Sequence, residues 1–484
     1  MYIGKRYYSK DSSYQAFGAD EAAQVHAASC RVLQEQGMLL KHEEARELLK
    51  KAGATVDGEK VYLSASLVED ALKRLPSRVT LFDRNGEPAM YLEGRNVYYG
   101  SGSDTVNLLD FESRGRKLWT KNDVENAVKI CDYLPNIDFI MSMGIMSDIP
   151  FEMNTREQYR AMINNSIKPH VVVADNAGDL EDIFKMYIAV RGSAEALKHK
   201  PYAVVYNEPT SPLLHSYEAI DKLMLCARYS VPTNYAAGSM AGATTPISAA
   251  GTVVLNNAEC LFGMVIHQLV NPGAPFVYGF GNSPMDMRTL QCCYALPLAI
   301  QIQSGMCAMA HYYNLPCWGE AGDGCSKICD EQAVEEATQF IQMAALQGCN
   351  LTHDVGYLDF GLSYSLELLL ISDDIIARTK EVMAGVEISE STLSVDEIKQ
   401  AGFNGNYLRC ASTRKAAKEG WRSDLGDYMT FDNWSKGGSF SMGERAHKKV
   451  LEIVAEYKPQ PLSESVDAEI AAIMDSGYRN ITKK

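Results

Sequence analysis

Aromatic side chains are concentrated at the ends of a series of short β-rich runs in this chain, with several carboxylates interleaved among them. Tyr99, Ser103 and Asp104 belong to the first run, and Met143 and Met146 to the second. Asp175 and Asn176 end the third, and Tyr206, Asn207 and Glu208 the fourth. Gly238 and Ser239 follow the fifth, and Tyr278, Phe280 and Asn282 come from the sixth. Trp318, Glu320 and Asp323 come from the seventh, and His353, Asp354 and Tyr357 from the eighth. Ring faces beside carboxylates hold a quaternary ammonium, which has no N–H to donate. Each desolvated face contributes about 0.5–2 kcal/mol. Aromatics also cap barrel cores without any ligand, so composition alone leaves a cation site and a core cap both open. In the cation reading, Tyr99, Tyr206, Phe280, Trp318 and Tyr357 are the candidate cage walls. Glu208 and Glu320 offset the positive charge, and Asn207 and His353 can hold a substrate carboxylate by hydrogen bonds.

Other chemistries find less support. His353 with Cys317 and Cys325 is the nearest approach to a thiol and imidazole set. Its spacing brings no paired thiols to one strand end, so no metal is expected. The twelve cysteines include no CxxC, and they read as buried reduced thiols rather than a disulfide framework. No GxSxG elbow and no P-loop occur. Lys168 opens a strand, the wrong end for a Schiff base, and Lys327 falls in a loop. His26 reads as a helix histidine and His170 as structural.

The elements that must position these groups follow from the runs themselves. They begin near residues 96, 137, 168, 202, 232, 274, 315 and 350, and each precedes a helix-length segment. Eight βα units predict a (β/α)8 TIM barrel, whose site lies at the carboxyl ends of the strands. An open doubly wound sheet is less consistent, because no GxGxxG turn follows the first run. The glycines of GSGSD at 100 stand at the wrong positions. Three amphipathic helices and a strand pair turning at Asp57-Gly58 predict a helical N-terminal cap over residues 1–94. The barrel is expected over 95–384, and a helical C-terminal extension packed on it over 385–484.

The chain has 484 residues, 46 % of them apolar and 22 % charged, which is ordinary globular composition. The formal net charge of −15 repels phosphate backbones, so no nucleic-acid partner is expected. The opening stretch MYIGKRYYSKDSSYQAFGADE is polar and unlike a signal peptide. No uninterrupted apolar run of about 18 residues occurs, so no membrane span is expected and cytoplasmic residence is the default.

Several stretches carry a resemblance. They are VHAASCRVLQEQGM, LLKKAGATVDGEKVYLSASLVEDALKRLP, YYGSGSDTVNLLDFESRGRKLWTKND, GEAGDGCSKICDEQAVEEA and GFNGNYLRCASTRKAAKEGW. In this order and spacing the chain resembles the trimethylamine methyltransferase (MttB) superfamily over nearly its whole length. The founding branch of that family carries pyrrolysine near the seventh strand end, within what is here 322–332. Every residue in that stretch is standard, which implies the non-pyrrolysine branch. The resemblance implies methyl transfer from a quaternary amine, such as glycine betaine or proline betaine, to the Co(I) of a cognate corrinoid protein. It implies no tightly bound cofactor, with cobalamin supplied by the partner protein. A homo-oligomer is also expected. The alternatives are a non-catalytic betaine-binding protein and an unrelated TIM-barrel lyase.

Overall fold

A computed structural model describes residues 13–481. The first twelve residues of the polar opening lie outside the described residues. The chain folds as a (β/α)8 barrel. Seven parallel strands form one continuous sheet: Tyr98–Ser101, His170–Val172, Ala203–Val205, Thr233–Ala241, Phe276–Asp286, Cys317–Glu320 and Leu351–Val355. The last pairs with the first, Leu351 with Tyr98 and Thr352 with Tyr99. The second place is filled by two parallel bridges rather than a full strand. Phe139 bridges Gly100, and Ile140 bridges His170, so the ring closes. The eight runs expected from the sequence all fall at these places.

A helix follows each place: Lys121–Tyr133, Phe151–Asn165, Ala177–Arg191, Tyr217–Tyr229, Ala249–Val270, Pro297–Tyr312, Glu331–Gln347 and Leu366–Met383. Most are started by a side-chain cap, which satisfies an otherwise orphaned backbone N–H. Asn176 accepts from Asp179 N, Ser248 from Gly251 N and Asp330 from Ala333 N. Ala249–Val270 is long and apolar enough to cross a membrane by length and composition, and 72 % of its apolar window is buried inside the protein. The reason is visible in its neighbours. The N-terminal helices Ala19–Arg31, Glu43–Lys51 and Ala65–Leu72 all pack on it, opposite the barrel wall. A helix covered on both sides needs no polar face.

The bottom of the barrel is plugged by a hairpin, Val79–Phe82 and Pro88–Leu92. Val79, Leu81, Met90 and Leu92 pack with the inward residues Val171, Val204, Val277 and Leu351. At the opposite end a small sheet of Asn107–Leu109, Arg116–Leu118, Tyr357–Leu358 and Ser363–Tyr364 links the loops after the first and eighth strands. The C-terminal helices Met442–Glu456 and Glu464–Ile481 pack on the barrel's outer helices. Between them and the barrel, the short helices Glu390–Leu393, Val395–Ala401, Ala411–Glu419 and Phe431–Lys436 bury no residue.

Candidate active site

Alternation along a strand decides which side chains reach the barrel interior. Trp318 points inward and is fully buried. His353 stacks on it with ring centroids 4.2 Å apart, and Tyr206 lies 5.6 Å away on another side. One step toward the mouth, Glu320 pairs in register with His353. Tyr206 donates its hydroxyl to Glu208 Oε2 at 2.7 Å.

Glycine makes room between these acids. A Cβ on Gly281 would sit 3.6 Å from Glu320 Oε1 and 3.7 Å from the Tyr206 hydroxyl. One on Gly238 would press to 2.7 Å from Glu208 Oε2. Gly238 and Gly281 are paired neighbours, so the wall between Glu208 and Glu320 carries no side chain there. Glu208 is solvent-accessible but walled by protein, and burial pushes its carboxyl above the usual range.

The eighth strand breaks register between Thr352 and Val355. Within that break Asp354 adopts φ +70°. Such bulges and left-handed non-glycine residues concentrate at functional sites, where they re-aim side chains. Asp104 and Met143, also at the mouth, have φ of +52° and +57°. The break brings Asp354 into contact with Asp323, and Asp354 Oδ1 lies 2.6 Å from His353 Nδ1. Tyr357 is fixed from the other side, because its hydroxyl accepts from Ser103 N at 2.7 Å and donates to Ser103 O.

The electrostatics are those of crowded, buried acids. Burial, and then the charges of Asp323 and Asp354, hold the Glu320 carboxyl well above the carboxylate range. Burial and Asp354 do the same to Asp323. Asp354 is pushed up to about 7 by burial, against hydrogen bonding from Asp323 and Tyr357. Like charges at contact cannot both ionise cheaply, so the pair retains a proton near neutrality. Burial holds His353 neutral, its pKa lowered to about 3. Among the described residues, no Lys or Arg forms an ion pair with Glu208, Glu320, Asp323 or Asp354. Lys222 is the cation nearest in influence, and its Nζ donates to Ala174 O. Trp318 Nε1 and His353 Nε2 are buried without a hydrogen-bond partner, while His353 Nδ1 faces Asp354 Oδ1.

Of the nine candidates, Tyr206, Glu208, Trp318, Glu320, His353 and Tyr357 therefore meet at the mouth. Three do not. The Tyr99 hydroxyl reaches outward to Ile341 O on the helix Glu331–Gln347. Phe280 packs outward, near the place a Gly319 Cβ would occupy and in the same apolar cluster as Cys349. Asn207 is buried behind the sheet, donating to Thr233 Oγ1 and Cys226 Sγ. Each sits on the outward phase of its strand. The acid pair Asp323 and Asp354 was visible at strand ends but given no role. Tyr294, on which the charges of Asp323 and Glu320 act, follows no barrel strand directly, so position on a strand end gives no signal for it.

A closed parallel barrel with a buried acid and aromatic cluster at the carboxyl ends of its strands is a TIM-barrel enzyme framework. The crystal structure of the Methanosarcina barkeri monomethylamine methyltransferase MtmB superposes with a TM-score of 0.53 at 13 % identity, covering 99 % of this chain and 90 % of that one. The chain belongs to the trimethylamine methyltransferase (MTTB) family, whose model matches residues 4–481. Trimethylamine methyltransferase MttB of Desulfitobacterium hafniense is 30 % identical over 461 residues, 95 % of this chain and 93 % of the relative. The glycine betaine methyltransferase of D. hafniense strain Y51 is 29 % identical over 466 residues, 95 % and 96 % of the two chains. MttB of M. barkeri strain Fusaro is 29 % identical over 469 residues, 95 % and 94 %.

Proposed function

We propose that this protein transfers a methyl group from a small quaternary amine to the Co(I) of a separate corrinoid protein. The observation that carries the reading is Trp318, flanked by Tyr206 and His353, with Glu320 and Glu208 beside a glycine-lined wall and, among the described residues, no Lys or Arg paired to those acids. The ring faces and acids attract a fixed positive nitrogen. Trp318 Nε1, His353 Nε2 and the protons kept by the acid cluster are neutral donors, able to hold a betaine carboxylate without a cation.

The corrinoid supplies the nucleophile. The chain's own work is to orient one N–CH3 bond toward the mouth and exclude water. As the methyl leaves, the C–N electron pair stays on nitrogen and the amine becomes neutral. No general acid is needed, consistent with a neutral His353. The cation–π attraction disappears with the charge, so the product is held more weakly than the substrate. Partner access is supported by the rim after the fifth and sixth strands, where Ile247, Met287 and Leu290 are exposed apolar side chains.

The test mixes this protein, its cognate corrinoid protein reduced to Co(I), and a panel of quaternary amines. Formation of methyl-Co(III), read by absorbance, is expected with at least one of them. A chain that binds an amine by calorimetry but methylates no cobalt would be a binding protein instead.

A further inference from the structure

At the opposite end of the barrel from the mouth, three buried cysteines converge. Cys317 opens the seventh strand, Cys349 lies two residues before the eighth, and Cys307 is on the helix Pro297–Tyr312. Their sulfurs all lie within 4.8 Å of one another, and Cys317 Sγ is 3.7 Å from Cys349 Sγ. Thiolates on a tetrahedral zinc, with Zn–S of about 2.3 Å, stand roughly 3.8 Å apart.

A fourth donor stands outside this compact group, on the helix that carries Cys307. His311 is four residues after Cys307, which puts both on one helix face. Its Nε2 lies 3.2 Å from the carbonyl of Gly348, the residue before Cys349, which leaves Nδ1 as the ligating atom. The charge balance also fits. Three thiolates and one divalent ion carry one net negative charge, and the Arg95 guanidinium acts on both Cys307 and Cys317. Arg95 is held there by donating to Leu346 O and by packing over Gly348, whose φ of +71° and missing Cβ admit it.

We infer that Cys307, Cys317 and Cys349, with His311 turning in as the fourth ligand, form a structural zinc site that ties the bases of the seventh and eighth strands to the helix Pro297–Tyr312. Cys3His is an established donor set for structural zinc. The position agrees, because the amino-terminal face of a TIM barrel serves stability rather than catalysis. Loading displaces thiol protons to solvent, and no electrons move.

The experiment needs no variant to fold. The full chain, purified under reducing conditions, is incubated with Zn2+ or Co2+ and desalted. One metal per chain is expected, with a sulfur-to-cobalt charge-transfer band in the near ultraviolet and the intense visible bands of four-coordinate cobalt. The zinc-loaded chain should also melt at a higher temperature than the chelator-treated one. Cys349→Ser should lose the band. His311→Ala should keep it but shift the visible bands. Substoichiometric metal with no charge-transfer band in the wild-type chain overturns the site. A cobalt spectrum unchanged by His311→Ala overturns the four-ligand assignment.

Discussion

The imidazole of His353 lies nearly flat on the indole of Trp318, the two planes 19° apart. Stacking this close fixes the indole, and the Tyr206 ring encloses it from another side. Trp318 is then a rigid wall whose remaining edge, Nε1, has no partner. Trp318→Phe keeps a buried ring while removing that N–H. A hydrogen bond to a charged group is worth about 1.5–3 kcal/mol, so the Kd for a betaine should rise about 10- to 150-fold by calorimetry. An unchanged Kd would remove Trp318 from the site.

Proton linkage at the acid cluster distinguishes the two kinds of quaternary amine. A cation without a carboxylate, such as tetramethylammonium, favours the ionised acids. It lowers their pKa on binding and drives protons out. Its affinity should therefore rise as pH increases through about 7, the value to which Asp354 is pushed. A betaine whose carboxylate is held by protonated Asp323 or Asp354 needs those protons, and its affinity should fall over the same range. Titrations in buffers of different ionisation enthalpy read the proton release directly. Flat pH profiles for both ligands would show that the cluster does not face the substrate.

Gly281 offers a test of the glycine-lined wall. Its would-be Cβ meets Glu320 Oε1 and the Tyr206 hydroxyl at ordinary contact distances, and its φ is not in the left-handed region. Gly281→Ala should fold, with little change in melting temperature, yet its methyl narrows the space between Glu208 and Glu320. KM for the amine should rise several-fold while the fold is kept. A variant with wild-type KM would mean that the substrate lies elsewhere.

The eight barrel places were legible because β-rich runs recur with helix-length segments between them. Side-chain direction was harder. A one-residue difference in phase turns a residue from the interior to the helix layer, and it separates inward Trp318 and Glu320 from outward Tyr99, Asn207 and Phe280. Phe280 carried a readable warning: Gly279 and Gly281 beside it take the inward phase, where space is needed. The plug hairpin was not foreseen, although Arg84-Asn85-Gly86 has turn composition. The thiol cluster was invisible, since Cys317 and Cys349 are 32 residues apart and meet only when neighbouring strands pair.

Stability above neutral pH should report the same buried acids. The raised pKa values of Glu320, Asp323 and Asp354 mean that the folded chain keeps protons the unfolded chain has released. Such groups contribute stability that is full below their unfolded pKa and is lost as pH rises through the folded value. The buried histidines His170, His215, His267 and His353, each lowered to about 3, act in the opposite sense. Their penalty fades as pH rises through 6.5, where the unfolded imidazoles are half protonated, and is gone about one unit higher. Above that the histidines are neutral in both states and the acids decide the slope. The melting temperature should thus fall between about pH 7.5 and about pH 8.5. In Asp354→Asn, which removes one raised carboxyl and relieves Asp323, that fall should be smaller. Equal slopes in the two proteins would mean that Asp354 is already ionised in the folded chain at neutral pH.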